Sequence, residues 1–351
     1  MPRDPLILRS WTDADESGML ALERLVWGAT EMAKSDFFDW QYRKNPAGRA
    51  LIWCYENLDG MIVSQYAVIP VPLKVGSNRI LGSLSLNTVT HPDYRRRGLF
   101  VKAAEALYSK LALREIPLTY GFPNEASYAG FVNKLGFAPL GRPTVLVRIL
   151  DPTAFLLRAD PCRWNRIVRE AGRFLFGRVT NIDSRISVSE KIDFDFLETE
   201  RLLEHTGFVL WRDSDWLTWR YLAHPFRKYR MELAGDSDNP CGLAIYQITT
   251  ARNLKIGYLM DLLLSPDAEV GMVASLISRV VDICHIEGCA AITFLAARNS
   301  RKSVLLRQCG FWPVPQKLVP GPALILRWHL PATTNISLTD IDMSYGMLDT
   351  L

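Results

Sequence analysis

Three arginines and one glycine, Arg95-Arg96-Arg97-Gly98, form the part of this 351-residue sequence that most directly indicates chemistry. They lie between an apolar run that ends at Thr90 and a segment, Leu99 to Leu113, whose apolar residues recur with helical spacing. The first backbone N–H groups of a helix have no partner within the helix, and the helix dipole adds positive charge there. With arginines beside these amides and a glycine that allows close approach, the sequence predicts a site for a pyrophosphate group.

The stretch from Thr88 to Phe100 resembles motif A of the GNAT (Gcn5-related N-acetyltransferase) superfamily, whose pattern is Gln/Arg-x-x-Gly-x-Gly/Ala. Arg95, Gly98 and the lead-in His91-Pro92-Asp93-Tyr94 match, whereas Phe100 stands where the family usually has Gly or Ala. The resemblance implies that acetyl-CoA, or another acyl-CoA, is the co-substrate and that no metal is needed. The cofactor-binding residues that it implies here are Val89, Thr90, Arg95, Arg96, Arg97, Gly98, Leu99 and Phe100.

A second stretch, from Gly121 to Phe137, resembles motif B of the same family, in which an asparagine opens a helix that ends in Lys-x-Gly-Phe. The resemblance places Asn124 beside the cofactor. In the family, strands 4 and 5 separate at this point, and the pantetheine arm lies between them. The corresponding strands in this sequence are 86–90 and 118–122.

The catalytic acid and base are less well defined. Many family members carry a tyrosine seven residues after the motif B asparagine, which reprotonates the leaving thiolate, but that position holds Phe131. Tyr128, one helical turn earlier, and Tyr120, on the preceding strand, are the alternatives. A general base must accept a proton from the attacking ammonium, directly or through water. The candidates for it are Glu125, His91 and Asp39.

The sequence contains an internal duplication, with corresponding residues 174 to 179 positions apart. Trp-x-Tyr-x-x-x-Pro occurs at Trp40 and again at Trp219. The other two repeated landmarks are Pro92-Asp93 with Pro266-Asp267, and Leu135-Gly136-Phe137 with Cys309-Gly310-Phe311. Strand and helix patterns alternate in each half, so we predict an α/β fold with mixed sheets, made of two tandem GNAT-like domains.

We expect an acyl-CoA-binding domain at 1–150, a basic linker or helix at 151–195, a second domain at 196–330 and a C-terminal tail at 331–351. The second domain is predicted to be degenerate, because its counterpart turn, Ser265 to Gly271, has no arginine and contains Glu269, which would repel pyrophosphate. It would instead contribute to the acceptor pocket, lined by aromatic residues such as Trp216 and Trp219, although these can equally be core residues.

Charge and composition restrict the function classes. The net charge of +4 is small for this length, so we expect no nucleic-acid partner. The segment 158–191 holds eight basic and four acidic residues, and could contact an anionic acceptor or membrane surface or form a solvated linker helix. No window holds about 18 uninterrupted apolar residues, so we expect no membrane span. The cysteines form no CxxC pair and have no histidine at metal-ligand spacing beside them, so we expect no metal site. We expect a cytoplasmic location, because buried free thiols suit a reducing compartment and the N-terminus has no apolar signal stretch.

The function predicted from these features is acyl-CoA-dependent N-acyl transfer, most simply N-acetyl transfer, to a primary amine of a small molecule such as an amino sugar. The amine would attack the thioester directly in a ternary complex. Two alternatives stay open: a Fem-like aminoacyl transferase that uses aminoacyl-tRNA, and a non-catalytic sensor that binds acyl-CoA. The oligomeric state is not predicted.

Overall fold

The computed structural model describes residues 5–156, 194, 197–203, 207–236, 238–332 and 334–348. The basic segment 158–191, for which the sequence predicts a linker helix or an anion-contacting helix, lies outside these residues. Among the described helices, none has the length and apolar character needed to cross a bilayer.

The N-terminal part of the chain follows the alternation that the sequence predicts, with two helices ahead of a long antiparallel region. A π-helical turn, Asp39–Arg43, follows the second helix. The elements are β1 (Ile7–Ser10), α1 (Glu16–Trp27), α2 (Ser35–Phe38), β2 (Leu51–Glu56), β3 (Ile62–Val75), β4 (Asn78–Thr90), α3 (Leu99–Leu113), β5 (Leu118–Gly121), α4 (Glu125–Leu135), β6 (Ala138–Gly141), β7 (Thr144–Ile149) and α5 (Pro152–Leu156).

The C-terminal part repeats much of this order, which is the structural counterpart of the sequence duplication. A second π-helical turn, Thr218–Leu222, again follows a short helix. The elements are β8 (Phe208–Leu210), α6 (Ser214–Leu217), β9 (Arg230–Asp236), β10 (Asn239–Ala251), β11 (Leu254–Leu264), α7 (Val270–Ile286), β12 (Ala291–Ala296), α8 (Arg301–Gln308), β13 (Trp312–Pro313) and β14 (Leu324–Trp328).

The chain forms two compact units, and each unit takes segments from both halves of the sequence. Unit 1 comprises Met1–Gly141, Asp215–Arg227 and Pro322–Ile336. Unit 2 comprises Arg142–Ser214, Lys228–Gly321 and Ser337–Leu351. The domain limits predicted from the sequence follow chain order, so they do not include this exchange of segments.

The sheet of unit 1 has the strand order β1-β2-β3-β4-β5-β14-β6. Its neighbours are antiparallel except for β4 and β5, which are parallel. The sequence predicts four short strands between 64 and 90, but the structure has two long ones, β3 and β4. They join at a tight turn in which Gly76 has a φ of 61°, a conformation that favours glycine.

The sheet of unit 2 has the order β13-β7-β12-β11-β10-β9, and its one parallel pair, β11 with β12, corresponds to β4 with β5. Both sheets are therefore mixed, as the sequence predicts. Strand β14 from the C-terminal half lies between β5 and β6, and β7 from the N-terminal half lies between β12 and β13. Each half of the chain thus supplies one interior strand to the sheet built mostly by the other half.

The helices α1 and α3 cover opposite faces of the sheet of unit 1. Gln65 on β3 hydrogen bonds to Glu23 of α1, whereas the next residue, Tyr66, hydrogen bonds to Tyr108 of α3. Successive side chains on a strand point to opposite faces. The core beneath α3 includes residues of β2, β3, α4 and β14.

The two copies of the Trp-x-Tyr motif lie against each other within unit 1. The indole N–H of Trp40 donates to the carbonyl oxygen of Trp219 at 2.8 Å, and that of Trp219 donates to the carbonyl oxygen of Trp40 at 2.9 Å. The two rings stack with centroids 4.9 Å apart. The repeated motif therefore forms a symmetric, buried contact, in which the polar edge of each indole is satisfied by backbone.

We expect Ile325→Ala to destabilise unit 1, because Ile325 on β14 is fully buried in the core beneath α3. Removing a buried Ile side chain costs about 2–4 kcal/mol of the free energy of unfolding, which urea denaturation would measure. Ile7→Ala is the matched control, because Ile7 lies on the edge strand β1 of the same sheet and is 53% exposed. Equal effects of the two substitutions would contradict the insertion of β14 into this sheet.

Candidate functional site

A gap opens between β4 and β5 in the sheet of unit 1. The two strands pair from Ser83 with Thr119 to Ser85 with Gly121, where β5 ends. Strand β4 continues to Thr90. The carboxyl ends of two parallel neighbours therefore separate, and their backbone groups beyond Ser85 face the gap rather than each other.

A β-bulge interrupts β4 at this gap. Its register with β3 shifts between Gln65, opposite Val89, and Ala67, opposite Leu86. Asn87 adopts a φ of 45°, in the left-handed region that asparagine tolerates better than most residues. Bulges increase the local twist and re-aim side chains. Here the bulge directs the Asn87 side chain to Gln41 Oε1 at 2.6 Å and to the Tyr42 hydroxyl at 2.7 Å.

The arginine turn connects β4 to α3 by two left-handed residues. A short 3-10 helix, Pro92–Tyr94, is followed by Arg96 with a φ of 61° and by Gly98 with a φ of 74°. Gly98 is the N-cap of α3, and no side chain of the described residues caps this helix start. A Cβ at Gly98 would likewise have no heavy atom of those residues within 4 Å. The first amides of α3 thus border open space, which is the geometry of an anion site.

The three arginines of the turn differ in their surroundings. Arg95 and Arg96 are exposed, and Arg95 Nε lies 3.4 Å from the carbonyl oxygen of Thr90. The Arg97 guanidinium lies over the Tyr94 ring, 4.6 Å from its centroid. Arg97 Nη1 is buried and has no hydrogen-bond partner in the described part of the chain. An unpaired buried donor at this position indicates a place for an anionic acceptor.

Phe100, which departs from the motif A pattern, packs against α4. Its ring lies 4.9 Å from the Phe131 ring and 5.7 Å from the Tyr66 ring. A Cβ on Gly130 would come within 2.8 Å of Phe100, so this glycine provides the space that the large ring needs. The side chain of Phe100 is therefore part of the α3–α4 packing, and its backbone remains at the start of α3.

The motif B residues lie at the start of α4. Asn124 is the N-cap, and its Oδ1 accepts from the Ser127 backbone N–H at 3.0 Å, while Gly136 ends the helix in a left-handed conformation. Glu125 is exposed, and Tyr128 is partly buried against the core beneath α3. The structure thus brings Asn124, Glu125 and Tyr128 together on the first turn of one helix.

The other predicted acid, Tyr120, lies inside the sheet and is 1% exposed. Phe131, at the position where many family members have a tyrosine, is buried among Tyr66, Phe100 and Phe137 and supplies no proton donor. Of the tyrosines considered from the sequence, Tyr128 is the one with a partly exposed side chain.

The remaining base candidates are already engaged. Asp39 Oδ2 lies 2.6 Å from Lys44 Nζ. This hydrogen bond lowers the pKa of the Asp39 carboxyl group by more than burial raises it. His91 Nδ1 accepts from the Asp93 backbone N–H at 3.3 Å. A carboxylate with a lowered pKa is a weaker proton acceptor, which disfavours Asp39 as a general base.

A buried polar cluster that the sequence does not reveal connects the bulge to α1. Glu23 Oε1 accepts from Gln65 Nε2 at 2.7 Å and lies 3.5 Å from the Tyr42 hydroxyl, which in turn accepts from Asn87 Nδ2. Glu23 is 1% exposed, and burial raises the pKa of its carboxyl group to about 8. The signal available in the sequence is Glu23 at the apolar side of α1, close after the buried Met19 and Leu22.

In unit 2, the turn that corresponds to the arginine turn and the position that corresponds to Asn87 both contact side chains of unit 2 itself. Arg301 donates to the carbonyl oxygens of Ser265 and Ala268, at 2.9 and 3.0 Å, across the turn that precedes α7. Asp261, 174 positions after Asn87, forms a buried ion pair of 2.9 Å with Arg212. Arg212 also contacts Asp342 at 3.2 Å.

A cavity of about 650 Å³ adjoins this turn of unit 2. The acidic residues that line it are Glu200, Asp267 and Glu269. Arg201, the one basic residue among the described residues that line it, hydrogen bonds to Asn239. Acidic groups at the start of a helix repel a pyrophosphate, so the charges at this turn are unfavourable for one; the loss of the anion site in this half stays a prediction.

No cluster of His, Cys, Asp and Glu that could hold a metal ion occurs in the described residues.

Comparisons with known proteins converge on one fold. Residues 8–140 match the family of acetyltransferase (GNAT) domains. A GCN5-related N-acetyltransferase from Anabaena variabilis has a TM-score of 0.66 at 12% identity, covering 93% of this chain and 73% of that protein. One from Kribbella flavida has a TM-score of 0.61 at 15% identity, covering 93% of this chain and 71% of its own.

A third solved structure is N-myristoyltransferase from Saccharomyces cerevisiae with bound myristoyl-CoA. It has a TM-score of 0.60 at 12% identity and covers 99% of this chain and 84% of that protein. No curated protein sequence matches this chain at a significant level. At such low identities the likeness is one of fold.

We expect the stability of the protein to fall as the pH rises from about 5 to 8, through Glu23. Because burial raises its pKa from the ordinary value of 4.5 to about 8, folding favours the protonated group. The contribution of Glu23 to the free energy of unfolding is fully present below pH 4.5 and is lost as the pH approaches 8. Each pKa unit corresponds to about 1.4 kcal/mol, so the loss amounts to a few kcal/mol.

Glu23→Gln removes the titrating group and should flatten this pH dependence in urea denaturation. Glu16→Gln, the same change on the same helix, is the control, because hydrogen bonds from Ser35 and Arg43 outweigh burial and lower the pKa of Glu16. Its contribution is present above the ordinary pKa and stays constant between pH 5 and 8. An unchanged slope in Glu23→Gln would show that Glu23 is not a buried neutral acid.

Proposed function

We propose that the protein is an N-acetyltransferase acting on a primary amine of a small molecule. The match of residues 8–140 to the family of acetyltransferase (GNAT) domains supports acyl-CoA-dependent acyl transfer. The observation that carries the proposal is the uncapped start of α3 next to the gap between β4 and β5. An amino sugar is the acceptor that we favour. The cytoplasmic location remains a prediction.

The pyrophosphate of the co-substrate would bind at the start of α3. The amides of Leu99 and Phe100 and the side chains of Arg95, Arg96 and Arg97 would surround it, with Gly98 allowing close approach. The pantetheine arm would then extend into the gap along Val89 and Thr90, towards the bulge at Asn87. Asn124 would border the same gap from the start of α4.

The chemistry would follow from this placement. The amine attacks the thioester carbonyl carbon, and the coenzyme A thiolate leaves with a proton from an acid. We propose Tyr128 as that acid, because it is the partly exposed candidate at the start of α4. Tyr120 is the second candidate for the acid, and Glu125 is retained as a candidate base because its carboxylate is exposed on the same turn.

Two other functions make different use of the same fold. A Fem-like aminoacyl transferase would take its acyl group from aminoacyl-tRNA, so the arginine turn would have no pyrophosphate of coenzyme A to bind. A sensor would bind acyl-CoA at this turn without turnover. The buried donor Arg97 Nη1 and the uncapped helix favour a coenzyme A site over the first alternative, and a turnover assay decides between enzyme and sensor.

Acetyl-CoA should raise the melting temperature of the protein, because a ligand that binds only the folded state stabilises it by mass action. Saturation at about 100 times the Kd corresponds to about 2.7 kcal/mol. Gly98→Glu should abolish the shift, since it places a carboxylate beside the pyrophosphate. Acyl-CoAs of increasing chain length, measured in the same way, would define the preferred acyl group.

Two variants control for trivial effects. Gly98→Ala imposes the same left-handed strain without the charge, so it should keep part of the shift. Gly271→Glu adds the same charge at the start of α7, where a side chain also meets open space, and should keep all of it. An acetyl-CoA response that survives Gly98→Glu would contradict the proposed site.

Tyr128→Phe should lower kcat about 10²-fold and leave the KM for acetyl-CoA unchanged, because it removes only the proton donor for the thiolate. Thiol release with a panel of primary amines (an amino sugar, an amino alcohol, an amino acid and a polyamine) provides the assay. Tyr120→Phe is the comparison, and a larger loss there would transfer the role to Tyr120. No thiol release with any amine, despite acetyl-CoA binding, would favour the sensor.

A further inference from the structure

A chain of hydroxyl groups crosses the core beneath α3 and ends at Ser85 on β4. The Tyr66 hydroxyl donates to Ser85 Oγ at 3.0 Å and lies 2.6 Å from the Tyr108 hydroxyl. A hydroxyl group has one proton to donate. Because Tyr66 gives its proton to Ser85, Tyr108 must give its own proton to Tyr66. The protons of both phenols therefore point towards β4.

The Ser85 hydroxyl still has its own proton to donate. Among the described residues it accepts from Tyr66, and no acceptor receives its proton. Ser83, two residues earlier on the same face of β4, differs in this respect. Its hydroxyl donates to the Leu118 carbonyl oxygen at 3.2 Å and lies 2.6 Å from Thr119 Oγ1. Ser83 is fully buried, whereas Ser85 is 8% exposed. Ser85 thus has a donor available at a position that is not sealed.

Burial keeps both phenols of this chain protonated. It raises the pKa of Tyr66 to about 12 and that of Tyr108 well above its ordinary value of 10. Hydrogen bonds that follow one another in a chain polarise each other. The two tyrosines therefore make the Ser85 hydroxyl a stronger hydrogen-bond donor than a serine without such a partner, and they do so without giving up a proton.

Ser85 lies at the closed end of the gap between β4 and β5. It pairs with Gly121, the last residue of β5. A Cβ on Gly121 would come within 3.2 Å of Ser85 Cβ and 3.9 Å of its Oγ, so the glycine leaves room beside this hydroxyl. From Ser85 to Thr90, where β4 ends, the strand covers about 17 Å at about 3.4 Å per residue. A pantetheine arm laid along β4 from the start of α3 therefore brings its thioester end towards Ser85.

The chain of hydroxyls lies on the face of the sheet that α3 and α4 cover. The rings of Tyr66 and Phe131 of α4 have centroids 6.2 Å apart, and Tyr128 packs against the same core. Ser85 points to this face as well, because it hydrogen bonds to Tyr66. Ser85 and the proposed acid, Tyr128, are therefore on the same side of the sheet.

We propose, on the basis of the proposed function, that the Ser85 hydroxyl donates a hydrogen bond to the carbonyl oxygen of the thioester and that Tyr66 positions it. The carbonyl oxygen is the strong acceptor at this end of the co-substrate, since a thioether-like sulfur is a weak one. When the amine adds to the carbonyl carbon, the oxygen gains negative charge, which a donor already in place stabilises. As the C–S bond breaks, the C=O bond forms again and Ser85 keeps its proton. Ser85 is thus a catalytic residue, and Tyr66 is a positioning residue.

The hydrogen bond can be isolated with two ligands, acetyl-CoA and S-ethyl-CoA, which has a CH₂ group in place of the carbonyl. Ser85→Ala should weaken the Kd for acetyl-CoA about 5-fold, as expected for one neutral hydrogen bond. It should leave the Kd for S-ethyl-CoA unchanged, with both constants measured by calorimetry. Ser83→Ala, the matched control on the same strand, should leave the ratio of the two constants as in the wild type.

Thiol release with the most active amine of the panel measures the effect on turnover. Ser85→Ala should lower kcat about 10²-fold, because a donor to the developing oxyanion acts mainly in the transition state. Tyr66→Phe should lower kcat about 10-fold, and the double variant should lose no more than Ser85→Ala alone, since Tyr66 acts through Ser85. Tyr55→Phe, which alters another buried tyrosine of the same core, should leave kcat unchanged.

The contrary outcomes are distinct from those that concern the proposed function. Equal weakening of acetyl-CoA and S-ethyl-CoA in Ser85→Ala, or an unchanged kcat, would overturn the inference while the acyl-CoA site stands. Additive losses of kcat in the double variant would overturn the positioning role of Tyr66. Absence of acetyl-CoA binding to the wild-type protein would overturn the inference and the proposed function together.

Discussion

The hydrogen bonds of Asn87 to Gln41 and Tyr42 hold the bulge of β4 in place, and the gap in the sheet of unit 1 depends on this bulge. They hold a left-handed residue within β4 and so maintain the bulge at which β4 leaves β5. Without a bulge, β4 would continue its regular register with β3 and present different side chains to the gap. The gap between β4 and β5 therefore rests on the side-chain amide of Gln41 and the phenol of Tyr42, which lie on another element.

The same position shows how the two halves of the chain have diverged. Unit 1 has a neutral asparagine at the bulge and a neutral-acid cluster behind it, whereas unit 2 has Asp261 in a buried network with Arg212 and Asp342. A network of paired buried charges is costly to break. The helix start that follows differs as well, since Gly98 borders open space and the turn before α7 is bound by Arg301. The bulge and the arginine turn of unit 1 thus correspond in unit 2 to positions that contact side chains of the same unit.

Local patterns in the sequence predicted a good part of this fold. The helix Leu99–Leu113, the left-handed cap at Gly136, the mixed α/β sheets and the duplicated Trp-x-Tyr motif follow from periodicity, glycine conformation and repetition. The pairing of strands that lie far apart in the sequence was not predicted, because the alternation of residues in β7 and β14 indicates a strand but not which strands lie beside it. Glu23 was missed for a related reason: an acidic residue within an amphipathic helix is usually solvated, and its burial is set by β3 and the π-helical turn, which lie far away in the chain.

The placement of β14 has a consequence for how the duplicated gene could evolve. The second repeat encodes an interior strand of the sheet that carries the gap between β4 and β5. A deletion that removed this repeat would also remove that strand, and splitting the gene at the midpoint would leave two products that each lack a piece of their core. Selection for the fold of either unit is therefore enough to retain the whole duplicated reading frame.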